Sequence, residues 1–142
     1  MAKESSAWCH RQKLEKDFYI NMETKKTLVI GASENPARYS NLAVKKLIAY
    51  NHPVIALGKK MGSIGSVTIE TEKKHFENID TVTLYLNSLH QKEYYDYILS
   101  LNPKRIIFNP GTENDELEVL AQKKGIITME ACTLVLLSTA QY

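Results

Sequence analysis

Short apolar runs recur along the chain, each closed by glycine, asparagine or charge, and they alternate with stretches whose apolar residues return every third or fourth position. A brief apolar run suits a strand buried on both faces, and the longer period suits a helix laid over it, so this alternation restricts the fold more than any other feature. The run ending at Ile30 enters Gly31 and the turn-forming Ser33, Glu34, Asn35 and Pro36. A helix is expected from Ser40, which reads as its N-cap, with Leu42, Ala43, Leu47 and Ile48 on one side and Asn41, Lys45 and Lys46 on the other. Residues 53–57 form a second run, closed by Gly58, Lys59 and Lys60. Between residues 62 and 78 the pattern weakens to a loop, a small strand at 67–69 and a helical turn at 74–78.

The rhythm then resumes with a strand at 81–86, an amphipathic helix at 89–101 carrying Tyr94, Ile98 and Leu101, and a strand at 105–108. Thr112 reads as the cap of a helix bearing Leu117, Leu120 and Ala121, which Gly125 stops. A last strand at 126–128 and a helix at 131–140 follow. Parallel strands joined by right-handed helical crossovers give a doubly wound α/β sheet, so residues 25–142 are expected to form one Rossmann-like domain of three layers, α/β/α. Residues 1–24 mix basic and acidic groups with Trp8, Phe18, Tyr19 and Ile20 and lack this rhythm. They read equally as a helix packed on the sheet, a dimer arm, or sequence ahead of a start at Met22.

Bulk properties remove several function classes. A chain of 142 residues with a net charge of +2 has too little excess charge, too evenly spread, for nucleic acid or an anionic membrane to be its main partner. No apolar run reaches the roughly 20 residues of a membrane span, and no secretory h-region opens the chain, so a cytoplasmic protein is expected. Cys9 and Cys132 do not form a disulfide framework, and His10, His52, His75 and His90 lack metal-ligand spacing, so no metal is expected.

In an open α/β sheet, ligands bind beyond the carboxyl ends of the strands where strand order reverses, which directs attention to residues 31–40. A small Gly31-Ala32-Ser33 turn exposes backbone N–H groups, and the helix N-terminus behind it favours an anion such as phosphate. Arg38 is suited to a charge-assisted contact with such an anion. The dinucleotide fingerprint is incomplete, because Ser33 and Pro36 stand where further glycines belong. The second run ends in Gly58-Lys59-Lys60 rather than an acidic ribose ligand, and a lysine pair suits a ribose phosphate, which both NADP and coenzyme A carry. Glu113, Asp115 and Glu116 read as complements of a helix dipole, and Cys132 as a small buried hydrophobe. Tyr85 and Asn87 stay open between a ligand contact and the end of the sheet.

The segment Leu28-Val29-Ile30-Gly31-Ala32-Ser33-Glu34-Asn35-Pro36-Ala37-Arg38-Tyr39-Ser40 resembles the opening of small bacterial proteins of the CoA-binding domain family, which look like the nucleotide-binding domain of succinyl-CoA synthetase α subunits standing alone. The resemblance continues through Asn109-Pro110-Gly111-Thr112-Glu113 and Glu130-Ala131-Cys132-Thr133. It implies that Gly31, Ala32, Ser33, Asn35 and Arg38, with Tyr39 and Ser40 at the helix entrance, hold the cofactor phosphates. It likewise implies that Gly58, Lys59 and Lys60 lie near the adenosine end, and that Asn109, Pro110 and Gly111 face the pantetheine arm. One departure is visible, since the family has an Asn-Pro-Lys-like end to strand two and this chain has Leu57-Gly58-Lys59. The expectation is non-covalent binding of coenzyme A or an acyl-CoA, without chemistry of the chain's own and with a homodimer left open. The alternatives are an NADP-dependent oxidoreductase and a regulatory or scaffold module whose nucleotide site has decayed.

Overall fold

The apolar run before Gly31 forms strand β1, Thr27–Ile30, buried along its whole length in the computed structural model, which describes residues 23–142. Its parallel neighbours are β2, Val54–Leu57, and β5, Thr81–Leu84. Beyond β2 lie β4, Val67–Glu70, and then β3, Gly62–Ile64, while beyond β5 lie β6, Arg105–Phe108, and β7, Ile127–Glu130. The 7-stranded sheet therefore runs β3-β4-β2-β1-β5-β6-β7, all parallel except the β3–β4 hairpin. Strand order reverses between β1 and β5.

Alternate residues of these strands feed two cores, as the two-residue period of a strand demands. Leu28, Ile30, Val82, Leu84, Ile106 and Phe108 pack with Ile98 and Leu101 of α3, Tyr95–Leu101, and with Leu117 and Ala121 of α4, Asp115–Lys123. On the other face Val29, Ala56 and Ile107 meet Val44 and Leu47 of α1, Tyr39–Ala49, and Leu137 of α5, Thr133–Ser138. The result is a single three-layer Rossmann-like domain. A short helix α2, Ser88–Gln91, and a 3-10 turn, Lys92–Tyr94, precede α3, so the continuous helix expected at 89–101 is broken.

Several local expectations are corrected. Ser40 does not cap α1: the helix begins one residue earlier, Arg38 occupies the cap position with no side-chain hydrogen bond, and Ser40 is buried in the first turn. Thr112 does not cap α4 either, because its hydroxyl turns back to donate to the Asn109 carbonyl at 2.7 Å. Asn114 is the cap, its side-chain oxygen accepting the Leu117 N–H at 3.2 Å. The helical turn expected at 74–78 is absent, and residues 71–80 cross from β4 to β5 as irregular chain anchored by the buried Ile79. The β3 strand had no sequence signal, since Gly62 and Ser63 are poor strand formers and only pairing with β4 extends them. The extension anticipated at residues 1–24 lies, apart from Glu23 and Thr24, outside the described residues.

Candidate functional site

The carboxyl ends of β1, β2, β5 and β6 open into a cleft of about 710 Å³ at the reversal of strand order. Its wall takes Gly31, Ala32, Ser33, Glu34, Asn35, Arg38, Tyr39 and Ser40 from the first loop and helix entrance. Lys59, Lys60 and Met61 come from the β2–β3 link, Tyr85, Leu86 and Asn87 from the loop after β5, and Pro110, Gly111 and Thr112 from the loop after β6.

Two of the first-turn amides that the sequence points to are already engaged within the fold. The Gly31 and Ala32 N–H groups both donate to the Leu57 carbonyl, at 2.9 and 3.0 Å, which ties the turn to β2 and turns these two amides away from the cleft. The loop beyond is braced internally: the Asn35 N–H donates to Ser33 Oγ, the Ala37 N–H to Asn35 Oδ1, and Asn41 Nδ2 to the Ser33 carbonyl. The N–H groups of Ser33, Glu34, Tyr39 and Ser40 find no acceptor among the described residues. No acidic residue stands in the first turn of α1, so this helix end keeps its partial positive charge. Arg38, Lys59 and Lys60 are exposed around it and enter no ion pair among the described residues. Residues with four unaccepted backbone N–H groups, a helix N-terminus and three cationic side chains thus line one cleft, a composition suited to phosphate oxygens.

Gly58 and Asn109 lie outside the wall. Gly58 is a spacer: a Cβ there would fall 2.4 Å from the Ala32 carbonyl oxygen, so its absence lets β2 press against the first turn. Asn109 is buried and points inward, donating from Nδ2 to Thr83 Oγ1 at 2.6 Å and to the Leu84 carbonyl at 2.9 Å, and accepting the Thr133 N–H at 2.9 Å. It locks β5, β6 and α5 together beneath the cleft floor. Another buried amide pair sets the side walls. Gln91 Nε2 donates to the Leu86 and Thr112 carbonyls at 2.8 and 2.7 Å, and Asn114 Nδ2 donates to Gln91 Oε1 and to the Tyr95 hydroxyl. No sequence pattern marked this Gln91–Asn114 bridge, or Glu34, Met61 and Leu86 as wall residues. The bridge joins residues 23 apart in the chain, and Glu34 bonds Ser63 across 29.

Tyr85 leans into the second core, where burial holds its phenol above the usual range. Glu113 is exposed, and the Gly111 N–H donating to both of its carboxylate oxygens at 3.0 Å holds its carboxyl below the usual range. Asp115, Glu118 and Glu130 gather within 4.8 Å outside the wall, with Asp115 and Glu118 in the first turn of α4, where carboxylates complement the helix dipole. Cys132 is half-buried and also outside the wall. Among the described residues no helix is long and apolar enough to cross a membrane.

The family model for the CoA binding domain matches residues 25–138, nearly the whole described chain. The chain belongs to the CoA-binding domain family. The crystal structure of an uncharacterized protein is similar to this CoA-binding domain at 47% identity and a TM-score of 0.83, covering 84% of this chain and 99% of that one. A hypothetical protein from Pyrococcus horikoshii OT3 shares the fold at 21% identity and a TM-score of 0.73, with 84% of each chain covered. The dinucleotide-forming acetyl-coenzyme A synthetase 1 of Ca. Korarchaeum cryptofilum, solved with phosphate and ADP, shares it at 15% identity and a TM-score of 0.61, covering 76% of this chain and 26% of that one. No curated protein matches.

Proposed function

We propose that this CoA-binding domain holds coenzyme A or an acyl-CoA non-covalently in the cleft. One observation carries the reading: Ser33, Glu34, Tyr39 and Ser40, whose N–H groups find no acceptor among the described residues, line the same cleft as Arg38, Lys59 and Lys60. In this reading the helix end and first loop take the pyrophosphate, and the lysines take the ribose phosphate. Pro110 and Gly111 border the path of the pantetheine arm. The chain makes no bond of its own in this role, and among the described wall residues no nucleophile is hydrogen-bonded to a base. It serves as a holder of the cofactor or its thioester.

Thermal shifts measured side by side with CoA, acetyl-CoA, NADPH and NADH test this. Saturating CoA or acetyl-CoA should raise stability by about 2.7 kcal/mol at 100 times the dissociation constant. A rise with NADPH alone would transfer the cleft to an oxidoreductase, and no rise with any of the four would make the chain a scaffold.

A further inference from the structure

The link between β2 and β3 is suspended between two glycine contacts on the first loop. At one end Gly58 lies under the Ala32 carbonyl, and at the other Gly62 leaves room for the Glu34 side chain, whose Cδ would fall 2.3 Å from a Cβ at that position. The Glu34 carboxylate uses that room to accept the Ser63 N–H at 2.7 Å, a bond spanning 29 residues of sequence. Only Lys59, Lys60 and Met61 lie between the two anchors, and all three stand exposed in the cleft wall, Met61 at 79%. Glu34 is the one carboxylate in that wall, yet it bonds a backbone amide and forms no ion pair with the cations around it.

From this geometry we infer that Glu34 is a positioning residue that sets the selectivity of the cleft: its bond to Ser63 fixes the far end of the cationic link, and so holds Lys59 and Lys60 where they favour a ligand with a ribose phosphate over one without. The inference rests on the proposed CoA site and adds a residue that touches the link, not the phosphate. The carboxylate spends its acceptor capacity on the Ser63 amide rather than on an ion pair with the lysines. Gly62 is part of the device, because any side chain there would push the carboxylate off its amide.

The test compares wild type with Glu34→Ala, Glu34→Gln and Gly62→Ala, reading the hydrogen-exchange rate of the Ser63 amide and the dissociation constants for CoA and 3′-dephospho-CoA. Glu34→Gln keeps an acceptor for Ser63 and should behave as wild type in both measurements. Glu34→Ala and Gly62→Ala should speed Ser63 exchange and cut the preference for CoA over dephospho-CoA by about 3- to 10-fold, the scale of one hydrogen bond. An unchanged preference in Glu34→Ala overturns the inference, as does tighter CoA binding in both Glu34 variants, which would mean that the carboxylate acts only by opposing the ligand's charge. Wild-type protein that binds neither ligand overturns the CoA site and the selectivity with it, while Ser63 exchange in the same samples still reports whether the tie exists.

Discussion

Gly31 and Tyr85 are packed backbone to backbone: a Cβ on Gly31 would lie 2.9 Å from the Tyr85 carbonyl oxygen, and Gly31 itself adopts φ +95°. Neither the conformation nor the space tolerates a side chain. Gly31→Ala should therefore destabilise the fold by about 2–4 kcal/mol through backbone strain and displacement of the β5 exit. Chemical denaturation checks this, and a variant as stable as wild type would show that the turn relaxes freely. Since the Gly31 N–H already serves Leu57, what the turn requires of this residue is its lack of a side chain.

Arg38 should behave in the opposite way. It is exposed, has no ion pair among the described residues and caps nothing with its side chain, so Arg38→Ala should leave the melting temperature unchanged. If its guanidinium meets a cofactor phosphate, CoA affinity should fall by about 1–3 kcal/mol, the loss of a charge-assisted bond. Calorimetric titration decides, and undiminished affinity would return Arg38 to the solvent.

Asn109 was expected beside the pantetheine arm, but its side chain makes three buried bonds beneath the cleft. Asn109→Leu would strand the Leu84 carbonyl and the Thr133 N–H, whereas Thr83 Oγ1 keeps its 2.8 Å contact with Thr133 Oγ1. A loss of about 2–4 kcal/mol in unfolding free energy is expected, with any change in ligand affinity following from the shifted loop. Urea titration with and without CoA separates the two effects.

His52 gives the fold a pH dependence. Burial lowers its pKa first, and the positive charges of Lys25 and Arg105 lower it further; its Nδ1 accepts the Lys25 N–H at 2.9 Å and its ring lies tilted against that of Tyr142, centroids 4.8 Å apart. The folded state therefore binds a proton less readily than the unfolded chain. The stabilisation is complete above the ordinary histidine value and is lost as pH falls from there through the lowered folded value. Between about pH 7.5 and about pH 5.5 the melting temperature of wild type should drop more than that of His52→Gln. Parallel curves for the two proteins would remove His52 as the cause.

Much of the fold was legible because burial writes itself into local periodicity. The runs at β1, β2, β5 and β6 are apolar enough to declare strands buried on both faces, and α1 and α4 show their apolar stripes. Caps were less legible, because Ser40, Thr112 and Asn114 are all competent cap residues and only the path of the incoming loop selects among them. The irregular crossing at residues 71–80 was missed for a similar reason: a parallel connection ordinarily carries a helix, and here the buried Ile79 and half-buried Phe76 fasten the chain to the core instead.

The sequence by itself determined the layer order, the twofold use of each strand and the small turn at the exit of β1, since each follows from the spacing of residues close together in the chain. Tertiary structure alone decided which first-loop amides find no acceptor among the described residues, where Asn109 spends its hydrogen bonds, and that Glu34 reaches Ser63. These depend on which polar groups meet across strands far apart in the chain, and a hydrogen bond is satisfied by proximity in space, which no local pattern encodes.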